Sequence, residues 1–587
     1  MIMFDNAIKK YFSELVLDEN GGQWRSCRLS GQKFYVRPED IVFYKKIGVP
    51  LPTLCLDERL RKKFAFSSAQ LFYNTSDKTG NKIVSMYPPD NKYKIYEHKI
   101  WFSDEWDPME YQVEYDPNNS FFEQFAKLFI QAPRFALFTD ESNENSDFTN
   151  NSVRLKNCYL VFNSLDGEDS YYTRTLLNSK NCFGGTLLFN CDTCYECAQA
   201  HDSYNCYFGE QIKNCRDGYF LFDCRGCSDC FMCANLRNKQ YFFKNKQLTK
   251  EEYFDRIKEI NLGSWQVLQK FQNQFDQMKK TAIYRQNHNE NSIDTDGDYI
   301  LNSKNVYRSF YILNSENIAY SSGFAAYKDS FDTLGGGGGE QCYELATVST
   351  EGNYRVFFSS FINHSTNLEY CDSCFDCHDC FGCVGLRYKS FCIGNKQYTK
   401  DEYHEKVNEL KTEMLKRGEY GEFFPPNISP YPYEVSDAFI SGPEAGQMEN
   451  ARKFGYNLST NIPTGVEDSD KDSILTNEII ADNLPDDIGD VGEEILSKII
   501  VDKKNQKKFR YISQELYYHK KYNLALPREH PAVRRERIMN SVLPLGFWIY
   551  ENYTRNCDSC EREITSVYKP DFAGKVYCEG CYQNNVV

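Results

Sequence analysis

The sequence is poor in the features that most functional classes require. It holds no run of eighteen apolar residues, so no transmembrane helix is expected. Its opening stretch, MIMFDNAIKKYFSELV, is amphipathic and lacks the apolar centre of a secretory signal. Histidine is scarce, at 8 residues, and no P-loop, GxSxG or HExxH motif occurs. The run Gly335 to Gly339 lacks the Lys-Ser/Thr that a phosphate loop needs. Positive charge is also short. With 68 Lys+Arg against 83 Asp+Glu the net charge is −15, which excludes a whole-chain basic footprint for nucleic acid. His364 and His378 fall near Cys371 to Cys380, but a Cys/His nucleophile needs an imidazole beside the thiol, and a solvated histidine is the plainer expectation.

What the chain does have is cysteine, at 24 residues, and 43 each of Tyr and Phe. CxxC units without a secretory signal point to thiols and metal in a reducing cytoplasm rather than to disulfides. A length of 587 residues implies several domains.

The stretch from Asn157 to Cys233 falls into seven rows of twelve. One column reads Asn157, Asp169, Asn181, Thr193, Asn205, Asp217, Asp229, and two residues on another reads Tyr159, Tyr171, Phe183, Tyr195, Tyr207, Tyr219, Phe231. Such regular self-similarity marks a repeat architecture. Every third residue is small or apolar, as in Cys158, Val161, Ser164, or Cys206, Ile212, Cys215. The pattern predicts one small coil of a β-solenoid per row, with four inward residues in a narrow core. The Tyr/Phe column would then stack outside that core or at an edge. Asn/Asp columns, including Asp166, Asn178 and Asn190, would turn the corners. Asn305, Asn317, Asp329, Gln341 and Asn353 repeat the twelve-residue step; a two-residue insertion then precedes Asn367 and Asp379. The glycine run reads as a bulged loop.

Cys224, Cys227, Cys230 and Cys233 recur 150 residues later as Cys374, Cys377, Cys380 and Cys383, which indicates an internal duplication. The ends of the chain match as well. Lys33-Phe34, Phe43-Tyr44 and Arg59 recur at an offset of 475 as Lys508-Phe509, Tyr518-His519 and Arg534; Tyr87, Pro89-Asp90 and Tyr96 recur at an offset of 481 as Tyr568, Pro570-Asp571 and Tyr577. Thr249-x-x-Glu252 and Thr399-x-x-Glu402 are capping boxes that open helices. The expected fold is therefore mainly β, with two tandem β-solenoids of twelve-residue coils, helical caps and flanking duplicated zinc-ribbon-like modules. The expected divisions are a degenerate ribbon-like module at 1–140, solenoids at 144–247 and 290–397, a helical connector at 248–285, a helix at 398–420, an acidic linker at 421–500 and a C-terminal zinc-ribbon module at 501–587.

The strongest chemical motif is Cys557-x-x-Cys560 with Cys578-x-x-Cys581, a zinc-ribbon spacing whose four thiolates would close a structural Zn2+ shell. In the N-terminal copy Ser76, Thr79, Glu97 and Ile100 occupy those positions. Cys27 and Cys55 look like remnants of another ribbon, with Ser30 and Glu58 as partners and a mixed Cys/Glu site as one outcome. The two CxxCxxCxxC runs read first as buried core thiols, with zinc or an iron–sulfur cluster as alternatives. Arg534, Arg535 and Arg537 form a basic cluster that would meet phosphate or line a solvated helix face.

The pattern Cys27-x-x-Ser30-Gly31, Phe34, Pro38-Glu39-Asp40, Phe43-Tyr44, Gly48 and Pro50-Leu51-Pro52-Thr53-Leu54-Cys55 resembles predicted zinc-ribbon domains. With the NCY-type rows, the NKQ-led helices and the terminal CDxC…YCExC motif, the whole order resembles uncharacterised cysteine-rich zinc-ribbon proteins of ultrasmall, genome-reduced bacteria. The resemblance implies cytoplasmic zinc binding and no particular activity, and half of the first ribbon's ligands are missing here. The reading that follows is a non-enzymatic zinc-containing repeat scaffold, self-associating or bound to a protein partner. A nucleic-acid- or ribosome-associated factor and a metal or redox enzyme are the alternatives.

Overall fold

The structure is a computed structural model that describes residues 2–139, 142–323, 326–348, 352–440, 442, 446–459, 465–468, 477–542 and 552–587. Parts of the acidic stretch read as a linker lie outside the described residues. The protein is strand-rich, and its two large sheets are parallel apart from one antiparallel hairpin closing each. The first, of 12 strands, runs from Thr149–Lys156 to Lys246–Gln247; the second, of 11, from Ile293–Leu301 to Lys396–Gln397. Partners in the ladder stand twelve residues apart, as in Cys194 with Cys206, Cys206 with Gly218 and Gly218 with Cys230.

The twelve-residue register follows from a backbone device. Every third residue takes the left-handed conformation: Asn157, Leu160, Asn163 and Asp166 all have φ of 53 to 54°, and the next row repeats this at Asp169, Tyr172, Thr175 and Asn178. Each row therefore has four corners. The Asn/Asp columns supply two of them, where short polar side chains tolerate the conformation. One of the others carries Leu160, Tyr172, Phe208 and Phe220, which give no turn signal in the sequence, and the last is mixed, from Asn163 and Asp223 to Leu187 and Gln199. Asn side chains also bond from row to row, as from Asn157 to Asp169 (3.0 Å) and Asn205 to Asp217 (2.6 Å).

Residues between the corners point into two thin cores. One is built from Leu176, Cys182, Leu188, Cys194, Ala200, Cys206, Ile212 and their neighbours, the other from Ile300, Val306, Ile312, Ile318, Leu368 and a cysteine run. Inward Ser and Cys make the same bond, to the carbonyl two residues back: Ser179 to Leu177 (2.7 Å) and Cys215 to Lys213 (3.5 Å). That shared donor geometry explains why the two residue types alternate in one column. Two expectations need correction in the second sheet. Gly339 pairs with Asn353 and Tyr343 with Phe357, so the two extra residues lie ahead of Asn353, not after it. Asn353 is consequently no corner residue; it is buried, and its Oδ1 accepts from Ser365 N (3.1 Å). The glycine run is also not simply a loop, because Gly339 pairs in register with Tyr327, and a side chain at Gly339 would meet Asn353 and Cys342.

The Tyr/Phe columns lie outside the thin cores but do not form an open surface. Phe183, Tyr195, Tyr207 and Phe231 are buried. The helix Ser513–Lys521 covers them through Tyr518, 5.0 Å from Phe183, and the helix Trp265–Thr281 through Phe271, 5.0 Å from Phe231. The second sheet is covered in the same manner by the helix Pro38–Ile47, whose Phe43 stacks on Phe331 at 3.8 Å. The cover is crossed: N-terminal residues pack on the second sheet and C-terminal residues on the first. Matched contacts carry both docks. Tyr320 OH donates to Asp40 (2.8 Å) and Tyr172 OH to Glu515 (3.3 Å); Arg59 pairs with Asp332 (3.0 Å) and Arg534 with Glu515 (2.8 Å). No described helix is long and apolar enough to cross a membrane.

Because Phe183 is enclosed by Tyr171, Tyr195 and Tyr518, Phe183→Ala should destabilise the protein by about 3–5 kcal/mol. A urea unfolding midpoint unchanged from wild type would show that the ring is not enclosed.

Candidate metal centre

The C-terminal module begins with the hairpin Tyr553–Asn556 and Glu563–Ser566. Its turn is closed by Cys557 N donating to Arg562 O (2.8 Å) and Glu561 N to Cys557 O (2.9 Å), with Glu561 left-handed at φ 61°. Asp558 N donates to Val576 O (3.0 Å), which ties this turn to the strand Lys575–Tyr577. Cys578 then caps the helix Glu579–Val586, and Cys581 lies on its first turn. These constraints bring the four Sγ atoms within 4.8 Å of one another, with Cys560 and Cys578 at 3.8 Å. Tetrahedral metal–thiolate bonds of roughly 2.3 Å place sulfurs roughly 3.8 Å apart, so the set fits a four-coordinate ion. Burial opposes ionisation of Cys557, but the amides of Cys578, Cys560 and Ser559 overcome it and bring the thiol down to about 6. Among the described residues this is the one group of three or more such donors gathered closely enough to hold a metal ion.

The same turn occurs three more times with other side chains. In the module beginning at Phe72–Thr75, the Glu97 carboxylate stands among the ligand positions and accepts from both the Ser76 and Thr79 hydroxyls. A carboxylate held by two hydroxyls occupies the place of an ion. In the module beginning at Ile499–Asp502, the positions 475 residues beyond Cys27, Ser30 and Cys55 are Asp502, Asn505 and His530. Asp502 accepts from Asn505 Nδ2 (2.8 Å) and His530 N (3.1 Å), so a carboxylate again closes the turn. The 475-residue offset already marks this copy in the sequence; extending it to the ligand positions shows what replaces them. In the first module Cys27 and Cys55 are buried together with Ser30 beside them, but Glu58 turns away to Arg61 (3.0 Å) and supplies no ligand, which removes the mixed Cys/Glu arrangement.

The CxxCxxCxxC runs sit in the thin cores. Cys224, Cys227, Cys230 and Cys233, like Cys374, Cys377, Cys380 and Cys383, are buried, and each thiol donates to the carbonyl two residues back, at 3.2 to 3.5 Å. Burial pushes Cys374 up to about 11 and, in other rows, Cys158 up to about 11 and Cys342 up to about 12. These thiols are packed among the side chains of the thin cores. His364 and His378 are exposed and face Asp376 and Asp379 at 3.8 and 3.3 Å, apart from that core.

The arginine cluster is engaged in ion pairs within the chain. Arg534 is buried against Glu515, Arg535 pairs with Glu467, and Arg537 reaches Glu196 (3.0 Å) and Glu529 (3.2 Å). Its charge is used in docking the C-terminal residues on the first sheet. His519 lies in this dock, with Nδ1 3.2 Å from Leu524 O and the ring edge-on to Tyr195 at 5.3 Å. Burial and then Arg534 lower it from 6.5 to about 3. The unfolded chain binds this proton more readily than the folded one, so the stability it contributes is full above pH ~6.5 and is lost as the pH falls toward 3. Wild-type urea midpoints should drop between pH 7.5 and 5, and His519→Gln should flatten that drop; an equal slope in both proteins would refute the assignment.

No protein-family model matches this chain, and no curated protein does, so the reading of the site rests on its own residues.

Proposed function

We propose that this protein is a non-catalytic, zinc-containing scaffold. In this reading the two parallel sheets are β-solenoids of twelve-residue coils, related by internal duplication, and the four hairpin modules are two duplicated pairs of zinc ribbons. Only the last ribbon keeps all four thiols. Cys557, Cys560, Cys578 and Cys581 would hold Zn2+ as thiolates, and the ion would supply a closed cross-link with no open coordination position. The proposal includes membership of the cysteine-rich zinc-ribbon proteins described above, a cytoplasmic location, and a protein partner or second copy as the binding target.

The observation that carries the reading is where the four-thiol module sits. Its strand Lys575–Tyr577 pairs with Ile283–Arg285, which links the two large sheets. Tyr582 bonds to Asp223 and Arg237 at the end of the first sheet, and Ser566 Oγ donates to Gln286 O (2.8 Å) just before the second. A metal-fixed module therefore braces the junction of the sheets. The ion would act on architecture, as expected of a scaffold. The arginine cluster, engaged in internal ion pairs, gives the nucleic-acid reading no support.

Metal analysis of the purified chain should find one zinc, lost in Cys557→Ser and retained in Cys230→Ala. Chelation should raise proteolytic cleavage within 552–587 by about tenfold or more, since a metal-held module loses its folding energy with the ion. Absence of zinc from the intact protein, or cleavage indifferent to chelation, would overturn the reading.

A further inference from the structure

The first hairpin module retains the complete backbone of the four-thiol site. Cys27 N donates to Gln32 O (2.8 Å), Gly31 N to Cys27 O (2.9 Å) and Arg28 N to Thr53 O (3.0 Å). The equivalent bonds around Cys557 measure 2.8, 2.9 and 3.0 Å. Gly31 is left-handed at φ 76°, as Glu561 is, and Cys55 caps its helix at φ −64°, ψ 164°, against −62°, 160° for Cys578. The frame is intact while two of the four ligands have changed.

What remains in it is chemically distinctive. Cys27 and Cys55 are both buried, enclosed with Leu54 and flanked by Leu29 and Phe34. Ser30 Oγ lies 3.7 Å from Cys55 Sγ and is exposed, which leaves an entry path on one side. The other two altered modules have filled this space with Glu97 or Asp502. Here no carboxylate enters, because Glu58 is held by Arg61.

We propose that Cys27 and Cys55 form a second metal site that takes one soft monovalent d10 ion, Cu(I), through two thiolates with the Ser30 hydroxyl beside them. A divalent zinc ion would lack its third and fourth anionic or imidazole ligands, whereas soft thiolates select Cu(I) and two of them satisfy it. Binding exchanges two S–H protons, released to water, for two S–Cu bonds, with no change of oxidation state. The apolar cover of Leu29, Phe34 and Leu54 keeps water from the bound ion. The site is separate from the proposed zinc centre.

The test uses the full-length chain as purified, titrated anaerobically with Cu(I) held by a chromophoric competitor, and with Ag(I) read by native mass spectrometry. One Cu(I) or Ag(I) per chain should bind in addition to zinc. Cys27→Ala and Cys55→Ala should each weaken this binding by at least about 100-fold, more than loss of a supporting contact would, while zinc content and circular dichroism stay unchanged. Cys557→Ser should lose zinc and keep the Cu(I) site, so failure of one assignment is distinguishable from failure of the other. Ser30→Cys offers a gain that misfolding cannot imitate: a third thiol should make the site take Cd2+, visible as thiolate-to-cadmium absorbance that Cys27→Ala abolishes. Cu(I) uptake indifferent to Cys27→Ala, or a second zinc in the wild-type protein lost with Cys27→Ala, would overturn the proposal.

Discussion

The left-handed corner at every third residue is the constraint on which the rest depends. Each corner turns the backbone so that four of them bring the chain back beside itself after twelve residues. For residues such as Thr175, Leu187 or Phe220 the conformation costs about 1–2 kcal/mol each. Only the continuous ladder between rows can offset such a repeated cost. The same geometry fixes what the interior accepts, because inward residues meet close to one another. Cysteine and serine suit it: they are small, and their single proton reaches the carbonyl two residues back. The abundance of cysteine is thus mainly a consequence of backbone geometry; only Cys27, Cys55 and the four C-terminal thiols lie in the hairpin modules, outside the rows.

The outer face creates the second requirement. Aromatic rings stacked at the row spacing form an apolar wall, and the two terminal regions bury it. The docks are matched in geometry but not in residue type. Tyr44 stands where His519 does, and Asp40 where Glu515 does, yet each pair meets an equivalent tyrosine or arginine. The N-terminal dock is the more highly charged. Lys63 is buried between Asp332 (3.1 Å) and Glu344 (3.6 Å), and burial raises the Glu344 carboxyl to about 7 despite that lysine. Breaking such a pair leaves an uncompensated buried charge, which makes the register of docking specific.

Much of this was legible in the sequence because the period is unbroken from Asn157 to Cys233. The row length, the inward third residues, the two Asn/Asp corners and the four-thiol cluster are all set by local rules. The corners at Leu160 or Phe208 were not legible, since no residue preference marks them and only the ladder enforces them. The burial of the aromatic columns was invisible for a different reason: Phe183 is covered by Tyr518, and nothing near Phe183 specifies that contact. The arginine cluster looked free because Arg537 finds its carboxylate in Glu196, far along the chain. The shift at Asn353 was misread because its asparagine fits the corner column by chance, while the pairing of Gly339 with it shows the extra residues come earlier.

Crossed cover also orders the birth of the molecule. As the chain emerges during synthesis, the N-terminal modules come first but their docking face belongs to the second sheet, still unmade. The first sheet follows, and the part of its aromatic wall beneath the helix Ser513–Lys521 stays bare until that helix appears. Each sheet is therefore exposed for a defined interval, longest for the first. Through that interval the antiparallel closing hairpins and the following helices Lys250–Lys258 and Lys400–Arg417 protect one end of each stack. The helix Ser513–Lys521, made after both sheets, completes the burial of the earliest wall.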